Sequence, residues 1–259
     1  MKIKTVFIIT CSVLSATILS STYACSSVAF SGSYVDGGGT IFGHNRDSTF
    51  NAFENLVMIK PEKGYPYLAL KYGKGPDNLE YISCGTNQYG LSICANDPAT
   101  NYPKHRNEDL IETKIIHTVL TQYKSIDELN KNAQKIFGVD NPGLFVLSDS
   151  KKVAEYQAGY DDKYGYRIET NGYLWDTNSF TYPAVDMQNK IVLTDVEDRD
   201  RNIKYFLNNL PLKVTFSTIY NFLGERNYGL FHSINREITL ARYTQVGKLL
   251  IKCSSKYSF

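Results

Sequence analysis

This sequence predicts an α+β domain in which helices stack against antiparallel sheets. Three observations predict it. The apolar pattern runs as strands, two helices, strands, two helices and a strand return, the order of a layered domain. Twenty Tyr and thirteen Phe among 259 residues suit pleated, half-buried surfaces. No linker, repeat or low-complexity tract divides the chain, and single domains commonly reach about 200 to 250 residues.

Ser26 to Tyr34, the turn Asp36-Gly37-Gly38-Gly39 and Thr40 to His44 read as a hairpin. No lysine or helix start follows those glycines at phosphate-loop spacing, so they form a turn. Strands are expected at Asn55 to Lys60, Tyr67 to Tyr72, Tyr81 to Gly85 and Gly90 to Ala95, with a turn at Thr86-Asn87-Gln88-Tyr89 between the last two. Asn107-Glu108-Asp109 caps a helix to about Tyr123, whose apolar residues are Leu110, Ile111, Ile115, Ile116, Val119 and Leu120. Ser125-Ile126-Asp127-Glu128 has capping-box spacing and opens a second helix to about Ile136. Strands return at Leu144 to Leu147, Val153 to Ala158, Tyr166 to Glu169 and Tyr173 to Trp175. Asp198 to Leu207 and Phe216 to Leu223 read as helices, and Ile238 to Lys252 as strand with a turn near Gly247.

The amino terminus has the pattern of a secretory signal. Lys2 and Lys4 precede an apolar run from Val6 to Leu19, and Thr22-Tyr23-Ala24 supplies small residues three and one before a cut. The run is shorter than the roughly 20 residues of a membrane span, and no later stretch is apolar enough to be one. Residues 1–24 are therefore expected to leave, giving an exported, periplasmic or secreted protein with one domain over residues 25–259. Setting Lys2 and Lys4 aside from 28 basic residues leaves 26, against 26 acidic. A neutral chain gives no electrostatic case for nucleic acid or an anionic membrane, so a small uncharged or amphipathic partner is expected. A homo-oligomer is compatible with this composition.

Signal removal after Ala24 makes Cys25 the first residue, with a thiol beside a free α-amine. Their reference pKa values, about 8.5 and about 7.7 to 8.0, are close enough for easy proton transfer near neutral pH. One residue then carries both a nucleophile and its base. Other chemistries lack support. His44, His105, His117 and His232 show no His-Glu-x-x-His spacing and accompany no Cys-x-x-Cys pair, so neither a metal nor another cofactor is indicated. No Gly-x-Ser-x-Gly elbow is present. Cys84 and Cys94 are symmetric about Tyr89, where a tight hairpin can place them opposite one another, either bridged or as two buried thiols.

The stretch Cys25-Ser26-Ser27 through Ile41-Phe42-Gly43-His44-Asn45-Arg46-Asp47 resembles the start of the choloylglycine hydrolase family, linear amide hydrolases that include bile salt hydrolases and penicillin V acylases. It also resembles the related acid ceramidase and acylethanolamine amidases. Gly85-Thr86-Asn87-Gln88-Tyr89-Gly90-Leu91 is similar to the family's Gly-Met-Asn-Glu-Lys-Gly-Leu turn, Thr177-Asn178-Ser179 to its Thr-Asn-Ser segment, and Asp200-Arg201-Asn202-Ile203-Lys204-Tyr205-Phe206-Leu207 to its Ser-Arg helix. The matches fall in the family's order and cover most of the chain. The resemblance implies an N-terminal-nucleophile hydrolase, a four-layer αββα sandwich with two antiparallel sheets, acting on a small-molecule N-acyl amide. It also implies roles. Cys25 attacks the carbonyl, Asp47 orients its amine and thiol, Asn178 and either Asn96 or Asp97 donate to the oxyanion, and Arg201 steadies the charged centre.

The sequence departs from the family at two places. His44 stands where bile salt hydrolases carry an arginine three residues before the aspartate, while Arg46 directly precedes Asp47. On a strand His44 and Arg46 share a face, so Arg46 can serve the same volume and help depress the thiol pKa. The chain is also short of family sequence between Arg201 and its last strands. Ordinary readings stand beside these roles: Asp47 and Asn178 as turn or cap residues, Arg201 as the close of a solvated charged run from Asp195, and Trp175 as core rather than the border of an acyl pocket. The alternative function is a lipid-anchored or disulfide-stabilised binding protein on the same scaffold, although Thr22 stands where bacterial lipid attachment uses a leucine-like residue.

Overall fold

The computed structural model describes residues 25–49, 54–74, 80–99, 108–139, 142–189, 194–225 and 243–253. The signal segment, Asn107, His105, His232 and the residues before 243 in the expected last strand lie outside them. Eleven strands, five α-helices and two short 3-10 turns are described. In chain order the strands are β1 (Ser26–Ser31), β2 (Thr40–Thr49), β3 (Glu54–Ile59), β4 (Tyr67–Lys74), β5 (Glu80–Asn87) and β6 (Ser92–Asn96), followed by β7 (Gly143–Ser148), β8 (Val153–Ala158), β9 (Tyr164–Glu169), β10 (Tyr173–Asp176) and β11 (Tyr243–Cys253). The helices are α1 (Glu108–Gln122), α2 (Ile126–Asn130), α3 (Ala133–Phe137), α4 (Thr194–Asn208) and α5 (Phe216–Leu223).

The strands form two antiparallel sheets, a small one in the order β10-β1-β2-β11 and a large one running β3 to β9 in sequence order. Strand alternation divides each sheet's residues between two environments. On β1, Val28 and Phe30 join Ile41 of β2 against Ile203, Leu207, Ile219 and Phe222 of α4 and α5. The alternate residue Ala29, with Phe42 and Leu174, instead meets Cys84, Cys94, Val146 and Val153 of the large sheet. The other face of the large sheet packs Ile93, Phe145, Leu147 and Tyr156 against Ile116, Val119, Leu120, Leu129 and Phe137 of α1 to α3. The layers thus run helix, sheet, sheet, helix, which is the αββα sandwich expected.

Element boundaries differ where pairing overrides local preference. β2 continues to Thr49, beyond the expected end at His44, because β11 pairs with it from Thr40 to Thr49 and supplies hydrogen bonds to a polar stretch. Gly247, read as a turn, lies inside β11 at an irregularity between Gln245 and Gly247, a position glycine tolerates in a strand. The expected second helix is broken at Lys131-Asn132, and Asn132 becomes the N-cap of α3. Ser125 caps α2 by accepting from Glu128 N at 3.2 Å, as the capping-box spacing predicts. The glycine turn is real: Gly37, Gly38 and Gly39 take φ values of 76°, 76° and 80°, which side chains rarely adopt.

Candidate active site

Cys25 immediately precedes β1 and is buried, at 6 % exposure. The disulfide joins Cys84 to Cys94 and leaves the Cys25 thiol out of it. Those two cysteines are direct partners in the β5–β6 register, so the bridged alternative is the one present.

A buried arginine organises the region, and it is Arg199 rather than Arg201. Arg199 Nη1 donates to the Cys25 carbonyl oxygen and to Ser26 Oγ at 3.0 Å. Its Nη2 donates to Thr177 O at 3.2 Å and to Asn178 Oδ1 at 3.1 Å. A fixed planar fork thereby ties the start of β1 to the segment after β10. Arg201 lies on the exposed side of α4 and pairs with Asp198 at 2.7 Å. The helical period explains the difference. Val196, Arg199, Ile203 and Leu207 recur at spacings of three and four and are all buried, whereas Arg201 falls between them. That pattern is visible in the sequence once Arg199 is counted as part of the stripe.

Asn178 is fully buried with φ 82°, a left-handed conformation that asparagine adopts more readily than most residues. Because guanidinium groups only donate, its Oδ1 must be the atom facing Arg199, which leaves Nδ2 as the donor end. One Nδ2 proton goes to Asp97 O at 2.7 Å. Asn96 is differently disposed. Its Nδ2 donates to Ser27 Oγ at 3.2 Å and also to Asp176 Oδ2, so both protons are directed inward. Asp176 in turn accepts from the Asn178 main-chain N–H at 3.1 Å. One carboxylate therefore holds both asparagines.

Burial pushes Asp176 up to about 6, against the opposing pull of Asn96, Asn178 and Arg199. Burial and the charge of Asp176 push Glu155 up to about 8. Glu155 accepts from Gln157 at 2.6 Å and from Tyr182 OH at 2.9 Å. Asp176 is stabilised as a carboxylate by a cation and three donors, so Glu155 is the member that keeps a proton near neutrality.

Arg46 is half-buried, its guanidinium 3.4 Å from the centre of the Tyr72 ring. It shares the inter-sheet face of β2 with His44, which burial and then Arg46 hold neutral, down at about 3. Asp47 follows on β2, paired with Gln245 of β11. Trp175 belongs to the helix-facing side, where its indole N–H donates to Asp200 at 2.8 Å. Half-buried, it packs against the core of that side, away from the inter-sheet layer that holds Cys25, Asn96 and Asp176.

A family model for acyl-coenzyme A:6-aminopenicillanic acid acyl-transferase matches residues 35–246. The chain belongs to that family. Its match spans Arg46, Asp47, Asn96, Asn178, Arg199 and Arg201 and begins after Cys25. Membership places the chain with linear amide hydrolases of the choloylglycine hydrolase type. Solved structures similar to the chain include two of conjugated bile acid hydrolase from Clostridium perfringens. One mutant is 17% identical over 76% of this chain and 78% of that chain, with a TM-score of 0.44. A second variant is 18% identical over 72% and 58%, with a TM-score of 0.40. No curated protein matches the chain.

Proposed function

We propose that this family member is an exported cysteine amidase whose nucleophile is Cys25, exposed as the first residue when residues 1–24 are removed. The observation that carries the reading is the convergence of Arg199 on Cys25 O and Asn178 Oδ1, which aligns a thiol-bearing residue with a fixed amide donor. In the reaction the Cys25 amine takes the thiol proton, the thiolate sulfur attacks the acyl carbon, and the second Nδ2 proton of Asn178 meets the developing oxyanion. The amine then protonates the leaving nitrogen, and water releases the acyl group from sulfur. The loop at Asp97 is the candidate for the second oxyanion contact, since the protons of Asn96 are committed to Ser27 and Asp176. Asp47 orients the amine, and Arg46 favours the thiolate.

The substrate is a small N-acyl amide with an apolar acyl group, of the bile salt, penicillin V, acyl homoserine lactone or lipid amide type. Intact mass and amino-terminal sequencing of the exported protein test the starting point. A chain beginning at unmodified Cys25 that cleaves one of these substrate classes bears the proposal out. A diacylglycerol on Cys25 would leave the lipid-anchored binding protein as the reading.

A further inference from the structure

Between the sheets lies a group of soft ligands that amide hydrolysis does not use. Histidine spacing predicts no metal site, yet a ring nitrogen of His44 and the sulfurs of Cys84 and Cys94 all lie within 4.8 Å of one another. The three ligands come from β2, β5 and β6, so only the packing of the two sheets assembles them. His44 is 1 % exposed, Cys84 0 % and Cys94 1 %. His44 Nδ1 is joined to Ser27 Oγ at 3.0 Å, whereas Nε2 is buried with no hydrogen-bond partner. A buried polar atom in that condition is rare enough to need an explanation.

Strand pairing, and not only the covalent bond, holds the sulfurs together. Cys84 and Cys94 are opposite residues with Cα atoms 4.1 Å apart, and their side chains leave the sheet on the same face. Reduction therefore leaves two thiols side by side next to an imidazole.

We propose that the reduced protein binds one Cu(I) through Cys84 Sγ, Cys94 Sγ and His44 Nε2. A dithiol breaks the protein S–S bond by supplying two electrons and two protons, leaving as its own disulfide while Cys84 and Cys94 become thiols. Cu(I) then displaces both thiol protons to solvent without changing oxidation state. His44 takes the tautomer with Nδ1–H donating to Ser27 Oγ, the outer hydrogen bond that metal-bound histidines ordinarily make. Thiolate and imidazole select Cu(I) or zinc among common ions. A structural zinc requires four ligands, and the group has three members among the described residues, in a layer closed to water. Three-coordinate Cu(I) fits both conditions. Arg46, on the same face of β2 as His44, supplies positive charge beside the anionic dithiolate site.

The test uses the signal-free chain carrying Cys25→Ala and Cys253→Ser, so that Cys84 and Cys94 are its only cysteines. After reduction by dithiothreitol and its anaerobic removal, the protein is titrated with Cu(I) held by a coloured competing chelator. The expected result is uptake of one equivalent, slower iodoacetamide labelling of Cys84 and Cys94 than in the reduced, copper-free protein, no uptake by the oxidised protein, and affinity at least about 10-fold lower in His44→Asn. The alkylation readout needs no change at the ligands, so misfolding of that variant leaves the test intact. Failure of the reduced protein to take Cu(I), equal uptake by the oxidised form, or alkylation of both thiols as fast in its presence as without it would overturn the proposal. Tighter binding of Zn(II) than of Cu(I) would overturn the choice of ion.

Discussion

The layer beneath α1 to α3 and the layer between the sheets are built from opposite materials. Ile116, Val119, Leu120, Phe137, Phe145 and Tyr156 fill the first, where Phe137 stacks on Tyr156 at 4.2 Å. The second starts with Ala29, Phe42, Val146 and Val153 but also buries Ser27, His44, Asn96, Glu155, Gln157 and Asp176. An apolar layer gains stability from nearly every atom removed from water. A polar layer avoids a loss only while its donors and acceptors find one another. The contrast teaches that the helical layer sustains the fold, while the inter-sheet layer gives up stability to hold reactive groups in fixed positions.

Substitutions can break that contrast. The largest effect expected is in the polar layer's chemistry: Cys25→Ala should lower amidase turnover by at least about 10⁴-fold while leaving the thermal melt unchanged. Retained turnover on any N-acyl amide that the parent cleaves would remove the nucleophile assignment. Phe137→Ala is the counterpart in the apolar layer, expected to destabilise by about 3 to 5 kcal/mol with kcat and KM unchanged below the melt. A selective loss of kcat there, with stability intact, would erase the division between layers.

Arg199 joins the two properties. Arg199→Met removes the donor from Cys25 O, Thr177 O and Asn178 Oδ1, so it should cost about 3 kcal/mol in urea unfolding and about 10²-fold in kcat. Arg201→Ala is the matched control two residues away, and its exposed pair with Asp198 should be worth less than about 0.5 kcal/mol.

Glu155 makes the stability of the polar layer depend on pH. Its folded-state value is raised from 4.5 to about 8, so the folded chain retains a proton that the unfolded chain releases earlier. Stability contributed by that proton is present below the unfolded value and declines as pH rises through the folded one. Urea midpoints should fall between pH of about 4.5 and about 8 and level off above, with Asp176 adding its own decline at the acidic end. Glu155→Gln should flatten the upper part of this slope, and an unchanged slope would mean that another group carries the proton.

Local chemistry accounts for what was legible. Val153–Ala158 and Phe216–Leu223 occur at the expected boundaries, since each has a clear period and a defined stop. The Cys84 and Cys94 symmetry about Tyr89 is a property of one hairpin, so sequence alone narrowed it to a bridge or two thiols. Arg199 was legible in principle from its place in the Val196, Ile203 and Leu207 stripe, but its charge disguised it. The inward direction of the Asn96 protons was not legible, because Ser27 and Asp176 come from strands far away in the chain.

Neighbouring residues carried the α+β class, most elements and the amino-terminal pattern that singles out Cys25 as candidate nucleophile, because periodicity, capping and a processing pattern are local, while the Asn178 segment was legible only through its resemblance to the family's Thr-Asn-Ser. The packing of the fold settled that Arg199 reaches Cys25, that Asp176 holds both asparagines, that β2 runs to Thr49, and that His44 meets Cys84 and Cys94. These depend on which faces of two sheets and which turn of α4 meet in space, and hydrogen-bond partners and burial across those contacts have no local signature.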